Sequence, residues 1–223
     1  LNSPETPIFH KGRELYGLFQ ARKAVRHLQR LVVVEGYMDV VALTQFGIPY
    51  SVATLGTATS TEHLQKIFRQ CAEVIFCFDG DSAGRQAARR ALEAALPAME
   101  DGRTAKFLFL PEGEDPDSLV RKQGTAAFEQ LLTTAQPLAD YLFDSAGEDV
   151  DLNSLEGRAR LSKLAAPLIA KVPDGVFKQL LVAALAQRTG LSSNKLDSLL
   201  AAPVEKASAR SDTQPPQYIP QRR

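Results

Sequence analysis

Three apolar runs in this chain each end on carboxylates. Leu31-Val32-Val33-Val34 stops at Glu35-Gly36. Val74-Ile75-Phe76-Cys77-Phe78 stops at Asp79-Gly80-Asp81. Phe107-Leu108-Phe109-Leu110 runs into Glu112-Gly113-Glu114-Asp115-Pro116-Asp117. Short apolar runs closed by turn residues read as buried strands. Strands that deliver acids at their C-terminal ends describe an open parallel sheet with its site along the carboxyl edge. So many acids in one place repel one another unless cations share the site, which points to divalent metal and phosphate chemistry.

The intervening pattern agrees. A helix is expected over 14–29, with Leu15, Leu18, Phe19, Val25 and Leu28 inward. Strands follow at 31–34, 50–53, 74–78 and 105–110, separated by helices near 39–46, 61–71 and 83–96. In the last of these helices Gly84, Ala87, Ala88, Ala91, Leu92, Ala95 and Leu96 draw one apolar stripe, with Arg85, Arg89 and Arg90 off it. Alternating strand and helix implies right-handed crossovers and a mainly parallel sheet with helices on both faces. The fold class is α/β. Beyond about residue 124 the segments 125–134, 137–145, 154–171, 173–189 and 192–201 are rich in Ala and Leu and read as helices. The expected division is a basic leading segment over 1–30, the sheet domain over 31–123, a helical subdomain over 124–202 and a flexible Pro-rich tail over 203–223.

Composition narrows the class. Formal net charge is zero, so bulk charge names no partner. Locally, Lys11, Arg13, Arg22, Lys23, Arg26 and Arg30 outnumber Glu5 and Glu14 just before the first acidic strand end. Cys71 and Cys77 form no CxxC pair, so neither a disulfide framework nor a zinc site is expected, and a reducing cytoplasm is. No run is apolar and long enough to span a bilayer. The chain opens on Leu1, as an internal piece of a longer protein would. His10, His27 and His63 lack ligand spacing and read as structural or exposed.

On chemistry alone, Asp79 and Asp81 lie one residue apart on a turn, where Gly80 lets the backbone bend and both carboxylates face one region. Mg²⁺ commonly binds through one or two carboxylates plus substrate phosphates. Asp115 and Asp117 flank Pro116, a residue suited to the first turn of a helix, so they serve either as caps or as ligands. Glu35 beside such a cluster either binds metal or acts as general acid or base. Asp39 falls one turn further on.

Taken together, Glu35-Gly36-Tyr37-Met38-Asp39-Val40, Asp79-Gly80-Asp81-Ser82-Ala83-Gly84 and Glu114-Asp115-Pro116-Asp117 resemble the TOPRIM signature. The flanks Pro7-Ile8-Phe9-His10-Lys11-Gly12, Glu14-Leu15-Tyr16-Gly17, Leu55-Gly56-Thr57 and Asp117-Ser118-Leu119-Val120-Arg121 are similar to bacterial replicative primases (DnaG). The resemblance covers about residues 1–200 and implies the second half of the RNA polymerase core. The zinc-binding domain and the helicase-binding domain are then expected outside this chain.

The resemblance implies template-directed synthesis of an RNA primer on single-stranded DNA from ribonucleoside triphosphates. Glu35, Asp79 and Asp81 would be catalytic. Glu35, Asp79, Asp81, Asp115 and Asp117 would form a Mg²⁺ or Mn²⁺ site, with Asp39 in the same cluster and no zinc. Lys11, Arg13, Arg22 and Lys23 would line the nucleic-acid track. Arg85, Gly56 and Thr57 would contact nucleotide, although Arg85 is equally placed for an i,i+4 ion pair with Asp81. Two other readings stay open: a different TOPRIM enzyme, nuclease or topoisomerase, and a binding module inactive without the rest of the core.

Overall fold

The computed structural model describes residues 5–7, 9–192 and 196. Six strands form one mixed sheet: β1 (Leu15–Tyr16), β2 (Arg30–Val34), β3 (Ser51–Thr54), β4 (Glu73–Phe78), β5 (Thr104–Phe109) and β6 (Gln136–Pro137). Their order is β1-β3-β2-β4-β5-β6. The four central strands are parallel, with Val32 opposite both Ser51 and Ile75, and Phe76 opposite Phe107. The two short outer strands run antiparallel. β2 and β4 are apolar almost throughout because both faces of a central parallel strand are covered.

The helices are α1 (Leu18–Ala24), α2 (Tyr37–Gln45), α3 (Thr61–Phe68), α4 (Ser82–Ala95), α5 (Pro116–Thr133), α6 (Leu138–Gly147), α7 (Leu155–Ala170) and α8 (Val176–Thr189). Strand residues alternate between faces. Val32, Val34, Ile75, Cys77 and Leu108 pack against α2 and α5 through Val40, Leu43, Leu119 and Phe128. Leu31, Val33, Val74, Phe76 and Phe107 pack against α3 and α4, and the same core continues into α6, α7 and α8 through Leu142, Leu161 and Leu185. The late helices therefore share a core with the sheet, and the expected boundary at 124 falls on a kink inside α5, at Gly124 (φ 79°).

The expected helix over 14–29 is corrected. Leu15 and Tyr16 form an edge strand and α1 spans only seven residues, leaving Phe19 72% exposed. Gly17 divides them: its φ is +83°, and a Cβ there would lie 2.8 Å from Val40 Cγ1 and 3.0 Å from the Ser51 carbonyl oxygen. β6 was not expected, and the helix expected from 173 starts at 176. Asp101, from the turn before β5, accepts the backbone N–H groups of Val176 and Phe177 at 2.9 and 2.8 Å and so caps α8. The helix expected over 192–201 and the tail over 203–223 lie outside the described residues.

His63 anchors the leading segment. Its Nδ1 accepts the Ser60 N–H at 3.1 Å, while Nε2 faces the carbonyl oxygens of Lys11 and Glu14 at 3.0 and 3.1 Å. The proton therefore sits on Nε2. Ser60 Oγ donates to the Gly12 carbonyl at 2.6 Å, and Lys66 pairs with Glu14. Residues 11–14 are held against the start of α3.

Candidate active site

Glu35 is the first residue after β2, and Asp79 the first after β4. These strands are neighbours, but the chain leaves β2 through α2 on one face and β4 through α4 on the other. A crevice opens where connections diverge in this way, and both carboxylates stand at its mouth. Asp81 caps α4, its Oδ1 accepting the Gly84 N–H at 2.7 Å. Asp39 lies in the first turn of α2, its Oδ2 accepting the Gly36 N–H at 3.1 Å. Asp115 caps α5: its Oδ1 accepts the Ser118 N–H at 2.6 Å, and its own N–H donates to Ser118 Oγ at 3.1 Å. Three helix N-termini thus aim positive ends at the acids.

Space, more than the expected bend, accounts for Gly80. A Cβ there would meet the carbonyl oxygens of Leu110 and Pro111 at 2.3 and 2.5 Å. A Cβ on Gly84 would meet the Asp79 carbonyl oxygen at 2.2 Å. The acidic loop is pressed between the end of β5 and the start of α4, which fixes where its carboxylates emerge.

Three of these acids, Glu35, Asp39 and Asp79, have raised pKa values. Burial is the largest cause for Glu35, Asp39 and Asp79, and neighbouring charge follows. Glu35 feels Asp79, Asp81 and Asp39; Asp39 feels Asp115 and Asp79; Asp79 feels Asp115 and Asp81. Asp39 is pushed up to about 6. Glu35, Asp39, Asp79, Asp81 and Asp115 therefore share one negative field. Asp117 contributes its backbone N–H towards Asp39, but its carboxylate pairs with Arg121.

Among the described residues, no three His, Cys, Asp or Glu side chains converge closely enough to enclose a metal ion. The donor set is nonetheless all oxygen, and its charge is uncompensated. That suits a hard divalent cation held by one or two carboxylates, with water and phosphate oxygens completing its shell.

A cleft of about 390 Å³ opens on the α4 side of Glu35. Thr54, Gly56, Thr57, Thr59 and Arg90 line it together with Glu35. Gly56 and Thr57 thus share a cleft with Glu35, as a nucleotide contact would require. Arg85 does not. It lines a second cleft between α4 and α6 with Gly80, Arg89, Phe109 and Tyr141, and makes no ion pair with Asp81. Sequence reasoning passed over Arg90; the available signal was its place off the apolar stripe of α4.

The basic residues fall into two groups. Lys11 and Arg13 sit beside the start of α3, where hydrogen bonds from the backbone and Ser60, and then the charge of Arg13, lower the pKa of Glu62. Arg22 and Lys23 are exposed in the last turn of α1, where positive charge also suits the helix dipole. Arg30 is committed elsewhere, donating to Tyr50 Oη at 3.2 Å and pairing with Glu129. Tyr37, 44% exposed beside Glu35, stands edge-on to Tyr16 with ring centroids 5.8 Å apart.

Comparison with known proteins agrees with this geometry. A family model described as Toprim-like matches residues 32–120, and one described as the DnaB-helicase binding domain of primase matches residues 139–194. The second match corrects the expectation that helicase-binding sequence lies outside this chain. A DNA primase of Pseudomonas putida is 55% identical over 221 residues, which are 99% of this chain and 33% of that protein. The DNA primase of Escherichia coli (strain K12) is 54% identical over 211 residues, 94% of this chain and 36% of that protein. The chain thus spans about a third of the length of these relatives. A solved DNA primase domain from Pseudomonas aeruginosa superposes with a TM-score of 0.88 at 55% identity, over 90% of this chain and 63% of that one. A solved DnaG primase catalytic domain bound to ssDNA superposes with a TM-score of 0.79 at 57% identity, over 84% of this chain and 60% of that one. With the acid-bearing strand ends, the sheet order and both family matches in agreement, the chain belongs to the bacterial DnaG-type DNA primase family.

Proposed function

We propose that the chain is the part of a primase catalytic core that carries its metal-dependent site, and that it serves RNA primer synthesis on single-stranded DNA from ribonucleoside triphosphates. The observation that carries this reading is the meeting of Glu35 and Asp79 at the divergence of β2 and β4, with Asp39, Asp81 and Asp115 in the same field. Glu35, Asp79, Asp81 and Asp115 would hold Mg²⁺ or Mn²⁺, with Asp39 and Asp117 bordering them. A bound divalent ion supplies charge stabilisation to the attacking and leaving oxygens of a phosphoryl displacement. Glu35 is exposed, and burial and the neighbouring Asp79 raise its pKa, so it is suited to take the proton of a primer 3′-hydroxyl. Lys11, Arg13, Arg22 and Lys23 would carry the template backbone, and the exposed Tyr37 ring a base. Residues 139–194 are the proposed contact with the replicative helicase. No described helix is long and apolar enough to cross a membrane, and the cytoplasm, where replication proceeds, is the proposed location.

The test is to incubate the chain with single-stranded DNA, ribonucleotides and Mg²⁺ or Mn²⁺. Short RNA products from the wild type, absent with Asp79→Asn, support the reading. DNA cleavage would replace it with a nuclease. Binding without any chemistry would mean that this part of the core needs the remainder of the protein.

A further inference from the structure

We propose that the cleft beside Glu35 is a polyphosphate site, in which Arg90 holds the β- and γ-phosphates of a nucleoside triphosphate and the pyrophosphate they become. The inference rests on the reading of the neighbouring acids as a nucleotidyl-transfer site.

Arg90 and Glu35 are the charged side chains of the cleft lining. They do not neutralise each other: among the described residues Arg90 makes no ion pair and no hydrogen bond, whereas its neighbour Arg89 is taken by Glu148. An exposed guanidinium left unpaired in a concave site, 390 Å³ in volume, is a ready fork for phosphate oxygens. The other polar groups are also free. Within the described residues, the hydroxyls of Thr54, Thr57 and Thr59 have no protein hydrogen-bond partner, and the space a Gly56 Cβ would enter is empty to 4 Å. Phe78 and Cys77 form an apolar floor, which strengthens any charge pairing above it.

Position decides the assignment. Glu35 belongs both to the acidic field and to the lining of the cleft that holds the lone guanidinium. A triphosphate laid across Glu35 places its α-phosphate by the acids and its two outer phosphates at Arg90. In the transfer step, the primer 3′-oxygen bonds to the α-phosphorus and its proton passes to Glu35. The bond from the α-phosphorus to the bridging oxygen breaks, and the electron pair leaves with pyrophosphate, which remains on Arg90 until release. Glu35 repels a bare anion, so binding in this cleft is expected only with Mg²⁺ present.

The test is calorimetric titration of the 223-residue chain with inorganic tripolyphosphate, with and without Mg²⁺. Wild type is expected to bind only with Mg²⁺. Arg90→Ala should weaken the dissociation constant by ~10-fold or more, since charge-assisted phosphate contacts carry that much. Arg90→Lys should recover part of the loss, and Arg89→Ala should stay within ~2-fold, its guanidinium serving Glu148 instead. Thermal melts confirm that each variant is folded. Equal binding by Arg90→Ala and wild type, absence of binding by wild type, or an equal loss in Arg89→Ala would each overturn the proposal. Primer synthesis is scored separately: Arg90-dependent binding with no nucleotidyl transfer would sink the primase chemistry alone, and primer synthesis with Arg90-independent binding would sink the polyphosphate site alone.

Discussion

Asp39 Oδ2 accepts the backbone N–H of Gly36 at 3.1 Å. One bond thereby ties the acid-bearing end of β2 to the first turn of α2. It also holds a carboxylate where Asp115 and Asp79 repel it and where burial has already pushed its pKa up to about 6. The protein keeps a carboxylate there at a cost in stability, which is what a cation site requires.

Replacing that charge while keeping the bond separates the two effects. In Asp39→Asn the amide oxygen still accepts from Gly36, but the repulsion is gone. At pH 8 without divalent ions the variant is expected to be more stable than wild type by about 1–2 kcal/mol. It should also bind Mg²⁺ more weakly. Urea melts with and without Mg²⁺ check both; a destabilised metal-free variant would contradict the electrostatic account.

Glu35 is exposed at the carboxyl edge and Gln keeps an oxygen for the Asp79 N–H, so the substitution should cost chemistry and not fold. Glu35→Gln is expected to lower nucleotidyl transfer by ~10²–10⁴-fold, the range for loss of a general acid or base. Its melting temperature should stay within a few degrees of wild type. Primer synthesis and a thermal melt on the same preparation decide it.

His63 is buried with Nδ1 accepting the Ser60 N–H, so a proton on Nδ1 would face another proton. Its pKa lies below the ordinary 6.5, with burial as the largest cause. The sign follows from linkage. Above 6.5 both states are neutral at this site and stability is undiminished. Below 6.5 the unfolded chain takes up a proton that the folded chain resists, and stability falls until the folded pKa is reached. The urea midpoint should therefore drop as pH falls from 7 towards 5, and His63→Gln should remove this part of the drop.

Gly80 leaves no room for a side chain between Leu110 and Pro111. Gly80→Ala is expected to push the Asp79–Asp81 loop away from β5, at a cost of about 2–4 kcal/mol. Activity should fall more steeply than the folded fraction does, because the carboxylates move with the loop. An active, fully stable Gly80→Ala would show that the close approach is dispensable.

Much of the fold is legible in the sequence because its signals are local. β2 and β4 announce themselves as apolar runs, and α4 as a stripe at helical spacing that is buried at Ala88, Ala91, Leu92 and Ala95. Asp115 and Asp81 cap helices from positions that chemistry favours. The segment around Gly17 misleads because its apolar residues fit a helical period, while the close approach of Val40 and Ser51 forces a break that no local pattern encodes. Arg85 and Arg90 are equivalent in sequence, both arginines off one stripe. Five residues of helix rotation send them to different clefts.

The sequence by itself determined that three strands end in acids and that helices alternate with them, since strand and helix periods and turn residues act over a few neighbouring positions. Only the tertiary structure decided which acids meet. Glu35 and Asp79 share a crevice because the chain crosses back from β3 past β2 and places β4 on the other side of β2. Asp117 is taken by Arg121, Arg30 by Glu129, and the start of α8 by Asp101 from 75 residues away. Partners of that kind are set by the order of strands and the sides their crossovers take, and those follow from packing the whole core at once.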